Sequence, residues 1–113
     1  MPEIKPLQLL IVTTSFGSLE EARLMAHKLL AEQLVACVHI HDPILALYRW
    51  EGEIREEREV LLSAKTDAMK WDEISVFIKT HHPYKLPELT GTISTEYHVA
   101  YGEWVKAEIN SGK

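Results

Sequence analysis

A chain of 113 residues points to one domain, residues 1–113, with a modest core and little surplus stability. Apolar side chains make up 46% and charged ones 26%, an ordinary globular balance that argues against a disordered chain. Twelve Lys and Arg against 17 Asp and Glu leave a net charge of −5 without a basic cluster, which argues against nucleic acid or an anionic membrane surface as a partner.

The elements read clearly in chain order. Leu7 to Thr14 is a short β-branched and Leu-rich run, the pattern of a strand buried on both faces, and Ser-Phe-Gly breaks it. Ser18 with Glu21 three residues on forms a capping box. Ala22, Met25, Ala26, Leu29 and Leu30 follow at helical spacing, predicting a helix that ends near Gln33. Ala36 to Trp50 reads as a long strand interrupted at Pro43, because proline removes a ladder donor. Glu51-Gly52 predicts a tight turn, and Glu53 to Thr66 returns as a second long strand. Thr66 or Asp67 caps a second helix with Trp71, Ile74, Phe77 and Ile78 as its apolar stripe, stopped by Pro83. A proline-bounded loop from His82 to Pro87 leads to a strand around Leu89 to Thr95. A last helix carries Trp104, Val105 and Ile109.

The order βαββαβ plus a C-terminal helix predicts an α+β, ferredoxin-like fold with two helices on one face of a four-stranded sheet and a long β2-β3 hairpin. The hairpin strands, about 14 residues each, reach roughly 45 Å. A first helix of about 16 residues covers only roughly 24 Å. The overhang carries Leu45, Leu47, Tyr48 and Trp50. An exposed apolar ribbon invites pairing, so the expectation is assembly with further copies of the chain. The alternative is that Pro43 lets the tip fold back on its own subunit.

The single cysteine, Cys37, cannot form an internal disulfide. The N-terminus lacks a signal-peptide pattern and no apolar run is long enough to span a bilayer. The expected location is therefore the cytoplasm, with no membrane partner.

Cys37, His39 and His41 alternate, which places them on one face of a strand. Neighbours at i and i+2 lie about 6.6 Å apart along it, within reach of one metal for two long ligands, whereas i and i+4 are about 13 Å apart. Read without a metal, Cys37 is a small core residue and the histidines are hydrogen-bonded. His81 and His82 end the second helix, where a helix C-terminus favours a cation; they either hold a metal or cap the last carbonyls. In the acidic run from Glu51 to Glu59, alternation puts Arg55, Glu57 and Glu59 on one face, as a solvated edge or a cation-attracting surface. Lys65-Thr66, at the junction of strand and helix, is either an anion-binding corner or a snorkelling lysine with an N-cap threonine. No Ser motif, His-Glu-x-x-His or paired cysteine occurs and nothing places a base beside Cys37, so no catalytic residues are assigned and a binding protein is expected rather than an enzyme.

Several strings then acquire a joint meaning: Ala36-Cys37-Val38-x-Ile40, Tyr48-x-Trp50-Glu51-Gly52, Glu59, Lys65-Thr66, His82-Pro83-Tyr84-x-x-Pro87-Glu88 and Tyr101-x-x-Trp104. In this order and spacing, from about residue 8 to residue 109, the set resembles the CutA family of divalent-cation tolerance proteins. The resemblance implies a tight homotrimer whose long hairpins complete sheets between subunits, an arrangement similar to PII signalling proteins. It also implies binding of divalent cations, copper above all. The family's bacterial copper pattern pairs a cysteine at the end of the first strand with two adjacent histidines. His81 and His82 match the histidines, but Thr13 stands where the cysteine would be and supplies no soft thiolate.

The expected function is a cytoplasmic trimer that needs no cofactor and binds Cu(II) or another divalent cation through His81 and His82, with Cys37 and His39 as further ligands. The alternative is a PII-like sensor or scaffold holding a small anion or a partner in an inter-subunit cleft lined by Trp50, Glu59, Lys65 and Tyr84.

Overall fold

The computed structural model describes residues 7–110. In chain order it contains β1 (Leu9–Phe16), α1 (Leu19–Ala31), β2 (Cys37–Ile40), β3 (Ile44–Trp50), β4 (Glu53–Asp67), α2 (Trp71–His81), β5 (Leu89–Ile93) and α3 (Val99–Asn110). All strands join one antiparallel sheet in the order β2-β4-β1-β5, with β3 also on β4. Each crossover helix returns the chain two places along the sheet, with an antiparallel strand inserted between, which is the interleaving that a βαββαβ order requires.

Local signals set most boundaries. Ser18 Oγ accepts from the Glu21 amide at 3.2 Å, capping α1, while Glu21 Oε1 reaches back to the Gly17 amide at 3.2 Å. The helix ends at Ala31, short of the expected Gln33, because Gln33 turns to φ 55° and its amide bonds the Leu30 carbonyl. Pro43 divides the long strand as its missing donor requires, leaving β2 and β3 end to end along one edge of β4. Glu51 at φ 50° and Gly52 at φ 80° make the turn between β3 and β4, with positive φ at both central positions.

The second helix starts later than expected. Thr66 is not a cap: it lies inside β4, fully buried, and its hydroxyl donates to the Leu34 carbonyl at 2.7 Å. Asp67 instead caps a 3₁₀ turn over residues 68–70 through the Met69 amide, and α2 begins only at Trp71. The anion corner expected at Lys65-Thr66 therefore does not form at a helix N-terminus. The last strand ends at Ile93 rather than Thr95.

Alternation sorts the two faces of the sheet. Leu10, Val12 and Phe16 of β1, with Val60, Leu62 and Ala64 of β4, face α1 and α2. There they pack with Met25, Leu29, Ile74 and Ile78 in the main core. The opposite face carries Ile11, Thr13 and Ser15 on β1 and, across the register, Lys65, Ser63 and Leu61 on β4. Cys37 and His39 of β2 stand opposite Lys65 and Ser63. Part of α3 covers this face, with Val105 and Ile109 buried.

The 15 residues of β4 extend about 50 Å, whereas the 13 of α1 reach about 20 Å. The molecule is accordingly elongated, 53 Å along its longest axis and 30 Å across. The hairpin leaves Leu45, Leu47 and Ile54 at 61%, 60% and 71% exposure. Register puts these three on the helix-side face of the ribbon, opposite Arg58, Glu56 and Arg49; Tyr48 and Trp50 share the other face with Arg55, Glu57 and Glu59. The tip does not fold back on its own subunit.

Candidate functional site

Three groupings of polar side chains stand out, and they separate residues that the sequence brought together. The first is at the end of α2. His82 is buried at 8% exposure and stacks on Phe16, with ring centroids 4.4 Å apart and planes 13° from parallel. Its Nε2–H donates to the Ser15 carbonyl at 2.8 Å, and its Nδ1 accepts from the Tyr84 amide at 3.1 Å. Both nitrogens are engaged, which fixes a neutral imidazole protonated at Nε2. Burial pushes the His82 pKa below its ordinary value, outweighing the Ser15 carbonyl and the Glu21 carboxylate, which pull it up. His81 is exposed and its ring lies against Phe77 at 4.4 Å. For both histidines to hold one metal, the His82 ring has to leave two hydrogen bonds and a stack.

The second grouping lies on the open sheet face at β2. Cys37 Sγ is 3.7 Å from His39 Nε2, and His39 Nδ1 is 3.5 Å from Lys65 Nζ. An ammonium only donates, so His39 Nδ1 accepts and Nε2–H points at the sulfur. Tyr101, from α3, comes close to Cys37, and its pKa is raised by burial first and then by the sulfur. His41 stands apart, bonded to Ser63 Oγ at 3.2 Å, as the strand geometry requires. Thr13 sits between Ser63 and Thr90, among hydroxyls.

The third is a cleft of about 670 Å³ between one face of the hairpin and the loop from Tyr84 to Glu88. Trp50, Glu59 and Tyr84 of one chain line it together. Lys65 does not: it lies six residues along the same face of β4 from Glu59, about 20 Å away, beside His39. Tyr48, Glu57 and Glu88, which the sequence left unassigned to a site, join the lining. The Tyr48 hydroxyl donates to Glu57 at 2.8 Å, and that bond raises its pKa. Partial burial raises the Glu59 pKa first, then the carboxylates of Glu88 and Glu57, against a hydrogen bond from Ser15. Tyr84 is raised likewise, by burial and then by Glu59, Glu21 and Glu57.

Among the described residues, no three of His, Cys, Asp and Glu are grouped as a complete metal site. Nor is any helix long and apolar enough to cross a membrane.

Residues 10–108 match the family model described as CutA1 divalent ion tolerance protein. The chain belongs to the CutA1 family. Its similarity to a divalent-cation tolerance protein CutA of Thermus thermophilus is 34% identity over 96 residues, covering 85% of this chain and 93% of the relative. The fold superposes on CutA from Synechococcus elongatus with a TM-score of 0.88 at 32% identity, covering 95% of each chain. A second solved CutA, described as the periplasmic divalent cation tolerance protein of Archaeoglobus fulgidus, gives a TM-score of 0.87 at 28% identity. It covers 90% of this chain and 99% of that one. The CutA1 family is named for tolerance and not for a catalysed reaction.

Proposed function

We propose that this CutA1-family chain is a cytoplasmic homotrimer that binds a divalent cation, copper being the favoured ion, and that Cys37 and His39 are its first two ligands. The observation that carries this reading is the 3.7 Å separation of Cys37 Sγ and His39 Nε2. A tetrahedral ion with metal–sulfur and metal–nitrogen bonds of about 2.3 and 2.0 Å sets two such donors roughly 3.5 Å apart. A thiolate with an imidazole is a donor pair suited to copper or zinc. The remaining ligands come from water or from a neighbouring subunit. The exposed imidazole of His81 is a secondary site, weaker because His82 is held elsewhere. A single cysteine stays reduced in the cytoplasm, which keeps the thiolate free.

Lys65 opposes the ion. Its ammonium holds the His39 proton on the nitrogen that a metal needs, and adds a like charge. Binding therefore requires the lysine to swing away. Calorimetric titration of metal-free protein with Cu(II), repeated with Zn(II) to separate binding from copper–thiol redox, checks the assignment. Cys37→Ser and His39→Ala each lower affinity by about tenfold or more, a loss in the range that ligand removal produces, while Lys65→Met raises it. Unchanged heats in the Cys37 and His39 variants, with loss in His81→Ala instead, return the site to the end of α2.

A second reading has its own support. The cleft that joins Trp50, Glu59 and Tyr84 is large enough for a small metabolite, as a PII-like sensor or scaffold requires. Lys65 of the same chain lies outside it, and the cations on its lining are Arg55 and Lys85.

A further inference from the structure

The cleft lies where two features of the chain meet: the aromatic face of the hairpin and the loop that His82 anchors. We propose that it binds a small aliphatic organic cation, an ammonium whose charge sits between Glu59 and Glu88 and whose carbon chain lies along Trp50 and Tyr84. This rests on the reading of the cleft as a ligand site.

Charge is the first ground. Glu57, Glu59 and Glu88 line the cavity together, three carboxylates against the two cations Arg55 and Lys85. Of the two cations, the Arg55 guanidinium lies 3.6 Å from Glu53, outside the three. Among the described residues, no lysine or arginine comes within salt-bridge distance of the three carboxylates. Glu59 is half-buried and feels both neighbours as like charges, so a cation entering the cleft relieves a repulsion already present. An anion entering it meets Arg55 and Lys85 as well, but against three carboxylates.

The lining decides which kind of cation. A bare metal ion needs several donors converging on a point, and the three carboxylates do not form such a group. The volume, about 670 Å³, is in the range of small-molecule sites and far above what an ion fills. Tyr48, Trp50 and Tyr84 supply rings of the type that holds ammonium groups through their negative faces, and Leu47, Leu86 and Pro87 add apolar wall for a hydrocarbon chain. Carboxylates, aromatic rings and aliphatic wall in one cleft are complementary to an amine with several methylenes.

Titration calorimetry on the intact protein, metal-free, separates the possibilities, with spermidine as the probe and hexane-1,6-diol and adipate as neutral and anionic controls of similar length. Spermidine is expected to bind saturably, once per chain, at micromolar to low millimolar concentration. Glu59→Gln and Glu88→Gln each weaken it by about tenfold, whereas Glu103→Gln, the same charge change on the exposed side of α3, leaves it unchanged. Equal spermidine binding in both glutamine variants reduces the effect to the general attraction of an acidic protein and overturns the inference. Adipate binding in the absence of spermidine binding overturns the cation but keeps the cleft as a ligand site. Failure of all three probes to bind overturns both.

Discussion

At the scale of single residues, His82 shows how packing redirects a side chain. Its position at a helix end beside His81 is that of a metal ligand or a cap; its backbone N–H does cap α2 at the Ile78 carbonyl, while its ring turns to the sheet. The ring closes a gap between Phe16 on β1 and Tyr84 in the loop, satisfying Ser15 and the Tyr84 amide at once. Phe16 and Ser15 lie 66 and 67 positions earlier in the chain, so local spacing gave no signal of them. The lowered pKa has a consequence for stability. The unfolded chain, with an ordinary imidazole near 6.5, binds the proton more readily than the folded one. The contribution of His82 is thus fully present above about pH 6.5 and is lost as the pH falls below that value towards the depressed folded pKa. Urea denaturation at pH 7.5 and 5.5 is expected to show a fall in stability that shrinks in His82→Gln, which keeps an amide donor and acceptor but does not titrate. An identical fall in the variant assigns the acid sensitivity to other groups.

At the scale of elements, the turn and the break in the edge strand were legible because their causes are local. Pro43 lacks a donor, and Glu51-Gly52 offers one residue that takes positive φ freely and one that takes it at a cost. Gly52→Ala is expected to destabilise by about 1 kcal/mol, and Glu51→Asn to stabilise by a few tenths, since asparagine tolerates the left-handed region better than glutamate. Thermal melts of the two variants check the opposite signs; a neutral Gly52→Ala contradicts the turn geometry. The start of α2 was less legible, because Thr66 and Asp67 are both good capping residues. Only the pairing of β4 with β1 to Asp67 decides that Thr66 belongs to the strand. Strand alternation put Glu57 and Glu59 on one face, as observed, but nothing periodic in the loop after Pro83 announced Glu88 as their neighbour. Lys65 was assigned to a cleft between subunits, and within one chain it stands apart from Glu59. The rise along β4 places it at the other end of the sheet.

At the scale of the whole molecule, length dominates. A strand of 15 residues cannot be shielded by helices of 13 and 11, and the excess emerges as a ribbon with Leu45, Leu47 and Ile54 exposed on one face and Trp50 on the other. An exposed two-stranded ribbon with large apolar side chains is marginal alone in water and pairs readily with another chain. We take neighbouring copies as its cover, in the trimer proposed above, and both proposed sites are then properties of an assembly. Sedimentation equilibrium at micromolar protein, on the wild-type chain and on Leu47→Lys/Ile54→Lys, tests this directly. The account predicts three chain masses for the wild type and dissociation in the double variant; a well-folded wild-type monomer at that concentration contradicts it.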